Sequence, residues 1–123
     1  MARVLIIEDS PLIVQMLTMI CEGAGHQVQS CTSFSLVEDA LSSFQPELII
    51  TDLNLPDLSE ANAALALRKI PAAEKIPLII ISGQPRDALL QIAQTCGAQD
   101  ALSKDAGMPQ ISAQLPPMID ALI

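Results

Sequence analysis

Aromatic residues are nearly missing from this sequence, which has two phenylalanines, no tyrosine and no tryptophan. Half of the chain is nonetheless hydrophobic, so its core must be filled by Leu, Ile, Val, Ala and Met. Basic residues are scarce as well: six Lys and Arg stand against 14 Asp and Glu, a formal net charge of −8. Direct binding to nucleic acid needs clustered positive charge and is not expected. A divalent cation, or a basic or mixed protein partner, is compatible with this balance. Long apolar runs are absent: no stretch comes near the roughly 20 residues that cross a bilayer. The run after Arg3 is too short for the apolar region of a signal peptide. The expectation is a soluble, cytoplasmic protein without membrane insertion. The three cysteines, Cys21, Cys31 and Cys96, are odd in number, widely spaced and set within apolar patterns. They lack zinc-site spacing and read as small core residues in a reducing compartment. The one histidine, His26, falls at a predicted turn and is expected to be an exposed loop residue.

What is present is a regular alternation over a length of 123 residues that suits one domain, 1–123. Arg3 to Ile7 is a branched apolar run of strand length that ends in Glu8-Asp9. Ser10-Pro11 then provides an N-cap and a first-turn proline, and Ile13, Met16, Leu17 and Ile20 recur at helical spacing to about Glu22. Gly23-Ala24-Gly25 ends that helix. Gln27 to Cys31 is a short strand with a polar side, placed at a sheet edge. Ser33 or Ser35 is a candidate cap for a second helix, with Leu36, Val37, Ala40, Leu41 and Phe44 on one face, closed by Gln45-Pro46. Leu48 to Thr51 is the third strand and leads into Asp52; Leu55-Pro56-Asp57 is the turn that stops it. A third helix is expected from about Ser59 to Ile70, ended by Pro71, with a loop to Lys75. Pro77 to Gly83 contains a fourth strand that ends in Ser82. A fourth helix covers about Arg86 to Thr95, with Ala88, Leu89, Ile92 and Ala93 inward and Gly97 as its cap. Gln99 to Ser103 is a short fifth strand that delivers Lys104. Helical spacing returns at Ile111, Leu115, Ile119 and Leu122, with a break or kink expected at Pro116-Pro117.

Five strands alternating with five helices give an α/β fold, a parallel sheet covered on both faces. Right-handed crossovers then bring every carboxyl end to one rim. That rim collects Glu8, Asp9, Asp52, Ser82 and Lys104. Taken singly, Asp52 is a turn residue, Glu8 and Asp9 are acids at a helix start, Ser82 is a strand end and Lys104 is a solvated charge. Together they place three carboxylates at one edge, where repulsion must raise a pKa unless a cation relieves it. Magnesium suits two carboxylates plus a phosphate. A hydroxyl and an ammonium beside it can hold phosphate oxygens. The implied chemistry is phosphoryl transfer to a carboxylate nucleophile.

These residues carry a resemblance over nearly the whole chain. Val4 to Ser10, Pro46 to Pro56, Ile76 to Gly83, and Gly97-Ala98 ahead of Lys104 resemble the receiver domain of two-component response regulators. The resemblance implies a flavodoxin-like, doubly wound sheet of order 2-1-3-4-5. It implies Asp52 as phosphoacceptor, and a magnesium ion (manganese as a substitute) held by Asp9 directly, by Glu8 through water, by Asp52 and by the backbone carbonyl of Asn54. Ser82 and Lys104 are implied to hold the phosphoryl group, Gly83 to leave room for it, and the side chains of Asn54 and Gln84 to tune its lifetime. The implied partners are a histidine kinase or histidine phosphotransfer protein and a downstream protein effector. Slow self-dephosphorylation would be the chain's only turnover, so it is not expected to be an enzyme.

The sequence departs from the family at its readout positions. Ala101 stands where a tyrosine or phenylalanine is usual, Asp105 where a proline often follows the lysine, and Glu60 where glycine is usual. A cis bond after Lys104 is therefore not expected. These departures motivate an alternative, a receiver-like interaction module that works without phosphorylation. A magnesium-dependent phosphatase or phosphotransferase would use the same nucleophile, but short loops and the lack of an inserted cap leave no pocket for a small substrate. A flavin reading of the fold is weaker still, since Glu8-Asp9 replaces a hydroxyl- and glycine-rich phosphate loop and no ring is present to stack.

Overall fold

A computed structural model describes residues 2–58 and 62–123. Five parallel strands form one sheet: β1 (Arg3–Ile7), β2 (Gln27–Cys31), β3 (Leu48–Thr51), β4 (Leu78–Ser82) and β5 (Asp100–Ser103). Their order is β2-β1-β3-β4-β5, the flavodoxin-like topology. The helices are α1 (Pro11–Gly23), α2 (Val37–Phe44), α3 (Ala63–Arg68), α4 (Arg86–Cys96) and α5 (Met108–Leu122).

The central strands are apolar throughout because each buries both faces. Leu5, Ile7, Ile49, Leu78, Ile80 and Ala101 pack with α2, α3 and α4 on one side. Val4, Ile6, Leu48, Ile50, Ile79, Ile81 and Leu102 pack with α1 and α5 on the other. The three cysteines are free and buried. β2 lies at the edge and keeps only Cys31 buried. All peptide bonds of the described residues are trans.

Several local expectations are corrected. Neither Ser33 nor Ser35 caps α2; their hydroxyls lie 2.9 Å apart, and the Asp57 carboxylate instead accepts from the backbone N–H groups of Phe34 (3.0 Å) and Ser35 (2.9 Å). A short 3-10 turn, Phe34–Leu36, precedes α2 and leaves Leu36 48% exposed rather than on the inner face. α3 is shorter than its pattern: Asn62 caps it, with its side chain accepting from the N–H of Leu65 at 2.8 Å, and Ile70 lies beyond its end. Ser59, Glu60 and Ala61 lie outside the described residues. α5 runs on through Pro116-Pro117. These prolines deprive the carbonyls of Ser112 and Ala113 of helix donors, but both residues are exposed to water, while buried Ile111, Leu115 and Ile119 hold the helix on the sheet.

His26 is only 6% exposed, contrary to the loop expectation. Its Nδ1 accepts from the N–H of Ala2 at 3.0 Å, and its Nε2 lies 4.0 Å from an Asp120 carboxylate oxygen. The turn before β2 is tucked between the start of β1 and the end of α5, a contact that local sequence does not encode.

Candidate functional site

Strand register builds the rim. Ile7 of β1 is level with Thr51 of β3, so Glu8 and Asp52 leave the sheet side by side. Ser82 of β4 is level with Ser103 of β5, which puts Lys104 one residue beyond. Backbone hydrogen bonds hold both acids in place, from the N–H of Glu8 to the Cys31 carbonyl and from the N–H of Asp52 to the Ile7 carbonyl, each 3.0 Å. Ser10 then begins α1, its side chain accepting from the N–H of Ile13.

Glu8 is 2% exposed and Asp52 8%, unusual burial for carboxylates. The Lys104 ammonium lies between them, 2.5 Å from Glu8 and 2.9 Å from Asp52. The other oxygens are satisfied by backbone: Glu8 accepts from the N–H of Ser10 at 3.1 Å, and Asp52 from that of Leu53 at 2.7 Å. Burial raises the Glu8 carboxyl above the usual carboxylate range, against the Lys104 and Ser10 hydrogen bonds that lower it. At Lys104, burial favours the neutral amine, but hydrogen bonds and charge from Glu8 and Asp52 outweigh it, and the net shift is upward.

Asp9 is exposed beside this pair. Glu8, Asp9 and Asp52 each offer an oxygen within 4.8 Å of the others, an all-carboxylate donor set that fits a hard divalent cation. Ser82 is buried at the end of β4. Next to it Gly83 is exposed, and a Cβ added there would meet open space. Asn54 is exposed and Gln84 half-buried on the adjoining loops. The structure thus brings Glu8, Asp9, Asp52 and Lys104 into one cluster. Ser82, Gly83, Asn54 and Gln84 stand on the same rim without a hydrogen bond to it.

Ala101 is fully buried against α4. The Arg86 side chain reaches from the start of α4 to the Ala101 carbonyl (3.2 Å) and the Asp100 carboxylate (3.3 Å). Sequence reasoning did not single out Arg86. An arginine on the first turn of a helix, with an acid at the start of the next strand, was the available signal.

A concavity lined by α1 and α5 shares no residue with the carboxylate cluster.

Comparison with known proteins agrees with this geometry. Residues 4–115 match the response regulator receiver domain family. The chain is 30% identical to Protein PilH of Pseudomonas aeruginosa, over 85% of this chain and 86% of that protein. It is 32% identical to the KDP operon transcriptional regulatory protein KdpE of Escherichia coli, over 94% of this chain but only 50% of that one. The chain therefore spans about half the length of that relative. The chemotaxis protein CheY4 of Vibrio cholerae shares its fold with a TM-score of 0.81 at 21% identity, covering 100% of this chain and 99% of that one. A sheet of order 2-1-3-4-5, an acidic rim closed by a lysine and a sequence match over nearly all of its length lead to one assignment: this chain belongs to the response regulator receiver domain family.

Proposed function

We propose that the chain is a phosphorylation-driven receiver that takes a phosphoryl group on Asp52 from a histidine kinase or histidine phosphotransfer protein. The observation that carries this reading is the joint hold of Lys104 on Glu8 and Asp52 at the carboxyl end of the sheet. A purely structural ion pair would need one carboxylate, whereas two buried carboxylates beside an exposed third store a repulsion that a cation relieves.

An oxygen of Asp52 attacks the phosphorus of a phosphoimidazole, the phosphorus–nitrogen bond breaks, and the imidazole leaves. Lys104 orients Asp52 before transfer and pairs with the new phosphoryl oxygens afterwards. Ser82 supplies a hydroxyl to the same oxygens, and open space at Gly83 admits them. Asn54 and Gln84 flank the path of a hydrolytic water and set the lifetime of the acyl phosphate. Glu8, Asp9, Asp52 and the Asn54 carbonyl would hold magnesium, or manganese in its place, which offsets charge on the phosphoryl group. The product alters contacts with a downstream protein effector, a local charge change read at a distance. The chain accepts and slowly loses the group and turns over no other substrate.

The test is intact mass after incubation with a small acyl-phosphate donor, with and without magnesium. A magnesium-dependent gain of one phosphoryl group is expected. No gain, with phosphorylated kinase also failing as donor, overturns the reading. That result would favour a phosphorylation-independent module, the reading that Ala101 in place of an aromatic supports.

A further inference from the structure

In the proposed cation site one ligand cannot be adjusted by any rotamer. Asn54 would hold the ion through its main-chain carbonyl, and that oxygen stands wherever the backbone on either side puts it. On one side the sheet fixes the backbone. The N–H of Asp52 reaches the Ile7 carbonyl at 3.0 Å, that of Leu53 reaches the Asp52 carboxylate at 2.7 Å, and Leu53 is buried. On the other side Leu55 is buried, and the N–H of Leu58 closes a turn on the Leu55 carbonyl at 3.0 Å. Pro56 and Asp57, at the tip of that turn, are exposed. Among the described residues, the only hydrogen bonds that tie 54–57 to another element are the two that Asp57 accepts from the N–H groups of Phe34 and Ser35.

These bonds could serve only to cap the turn ahead of α2, but local caps were at hand for that. Ser33 stands at the N-cap position and makes no capping bond; its hydroxyl faces that of Ser35 instead. The cap comes from 22 and 23 positions away, on the loop that follows Asp52. A local cap fixes one segment, whereas this one fixes two. Each Asp57 oxygen takes one N–H, and the pair holds its carboxyl below the ordinary 3.8, so both bonds are charge-assisted at neutral pH.

We propose that Asp57 is a positioning residue for the cation: its grip on the Phe34–Ser35 backbone fixes the loop after β3 and presents the Asn54 carbonyl already in place, which raises metal affinity. The inference rests on the reading of this rim as a magnesium-dependent phosphoryl acceptor. Partners that orient metal ligands change affinity by roughly ten- to a hundredfold; Asp57 acts through intervening backbone, so about tenfold is expected. Coupling is reciprocal, so the cation should hold the grip shut by about the same factor.

Manganese titration of the full chain without phosphoryl donor, with free ion read by electron paramagnetic resonance, tests this. Asp57→Ala should weaken binding about tenfold, and Asp57→Asn, which keeps one acceptor oxygen, by less. Glu22→Gln, which removes the same charge at the far end of α1, should change affinity by less than about twofold. Phosphoryl acceptance by Asp57→Ala should fall about tenfold at low magnesium and recover at saturating magnesium, because the site is only harder to fill. In the unmodified chain, amide exchange at Phe34 and Ser35 should slow about tenfold when magnesium saturates the rim, a measurement that needs no variant to fold. Equal manganese affinity in Asp57→Ala and the unmodified chain overturns the proposal. So does a loss matched by Glu22→Gln, or exchange at Phe34 and Ser35 that ignores magnesium. An unmodified chain that binds no manganese and gains no phosphoryl group overturns the reading of the rim itself, and this proposal with it.

Discussion

Lys104 and Arg68 are both partly buried cations, and their partners differ in kind. Arg68 spreads its guanidinium over the carbonyls of Cys96, Ala73, Glu74, Ile76 and Gly97, at 2.8 to 3.2 Å, and meets no carboxylate among the described residues. It staples the end of α3, the loop before β4 and the end of α4 into one corner. Burial lowers its pKa, but a guanidinium stays charged. Among the described residues Lys104 meets two carboxylates and no backbone carbonyl. Its raised pKa comes from charges that could be shared with another cation or a phosphoryl group. A cation saturated by fixed carbonyls holds the fold together, whereas one held by carboxylates at an open rim can exchange partners. The kind of partner, more than depth of burial, separates a structural charge from a functional one.

The sharpest way to break this contrast is to remove each cation. Arg68→Gln should cost about 2 kcal/mol in urea unfolding, because three part-buried carbonyls lose charge-assisted donors. It should leave phosphoryl acceptance by the folded fraction unchanged. Lys104→Met should do the reverse, slowing phosphoryl acceptance about a hundredfold, as when one stabilising donor is removed from a reacting group. Circular dichroism and the rate of mass gain separate the two effects.

A smaller effect sharpens the electrostatics. Glu8 keeps its proton to higher pH in the folded chain than its ordinary 4.5, so stability falls as pH rises above that value through the folded one. Glu8→Gln should lose this decline in urea titrations across pH. Lys104 acts on the alkaline side: its contribution is full below 10.5 and is lost as pH rises through its raised folded value. The smallest effect is expected at Asp57, an exposed residue whose carboxyl is held below 3.8 by the N–H groups of Phe34 and Ser35. Its contribution is present above 3.8 and disappears as pH falls through the folded value. Asp57→Asn should lower the melting temperature slightly at neutral pH and flatten only the acid limb.

The same contrast explains what could be read from the chain alone. The strands were legible because β3 and β4 hold the unbroken apolar runs 48–50 and 78–81, which a strand buried on both faces of a parallel sheet favours. Glu8 and Asp52 were legible because each comes directly off such a strand, and Asp9 and Lys104 because they stand at the ends of the first and fifth strands of the alternation. What stayed hidden depends on distant contacts. Asp57 looked like a turn residue but caps the start of the α2 segment from 22 positions away. Arg68 looked like the end of a helix but gathers carbonyls up to 29 positions away. His26 looked exposed because nothing local says that α5 returns to cover it. Pro116-Pro117 looked like a break because sequence does not reveal that the carbonyls they orphan face water. The start of α3 is set locally, by the Asn62 cap within an Ala- and Leu-rich pattern that carries no other stop signal there.

Reductive trapping tests the central claim most directly. Borohydride reduces an acyl phosphate to the alcohol and releases phosphate, so a phosphorylated aspartate becomes homoserine at its own position. After incubation with an acyl-phosphate donor and magnesium, peptide mapping should find homoserine at position 52 and at no other aspartate, including the neighbouring Asp9. Homoserine at Asp9, at several acids, or at none would contradict the assignment of this rim as a phosphorylation site centred on Asp52.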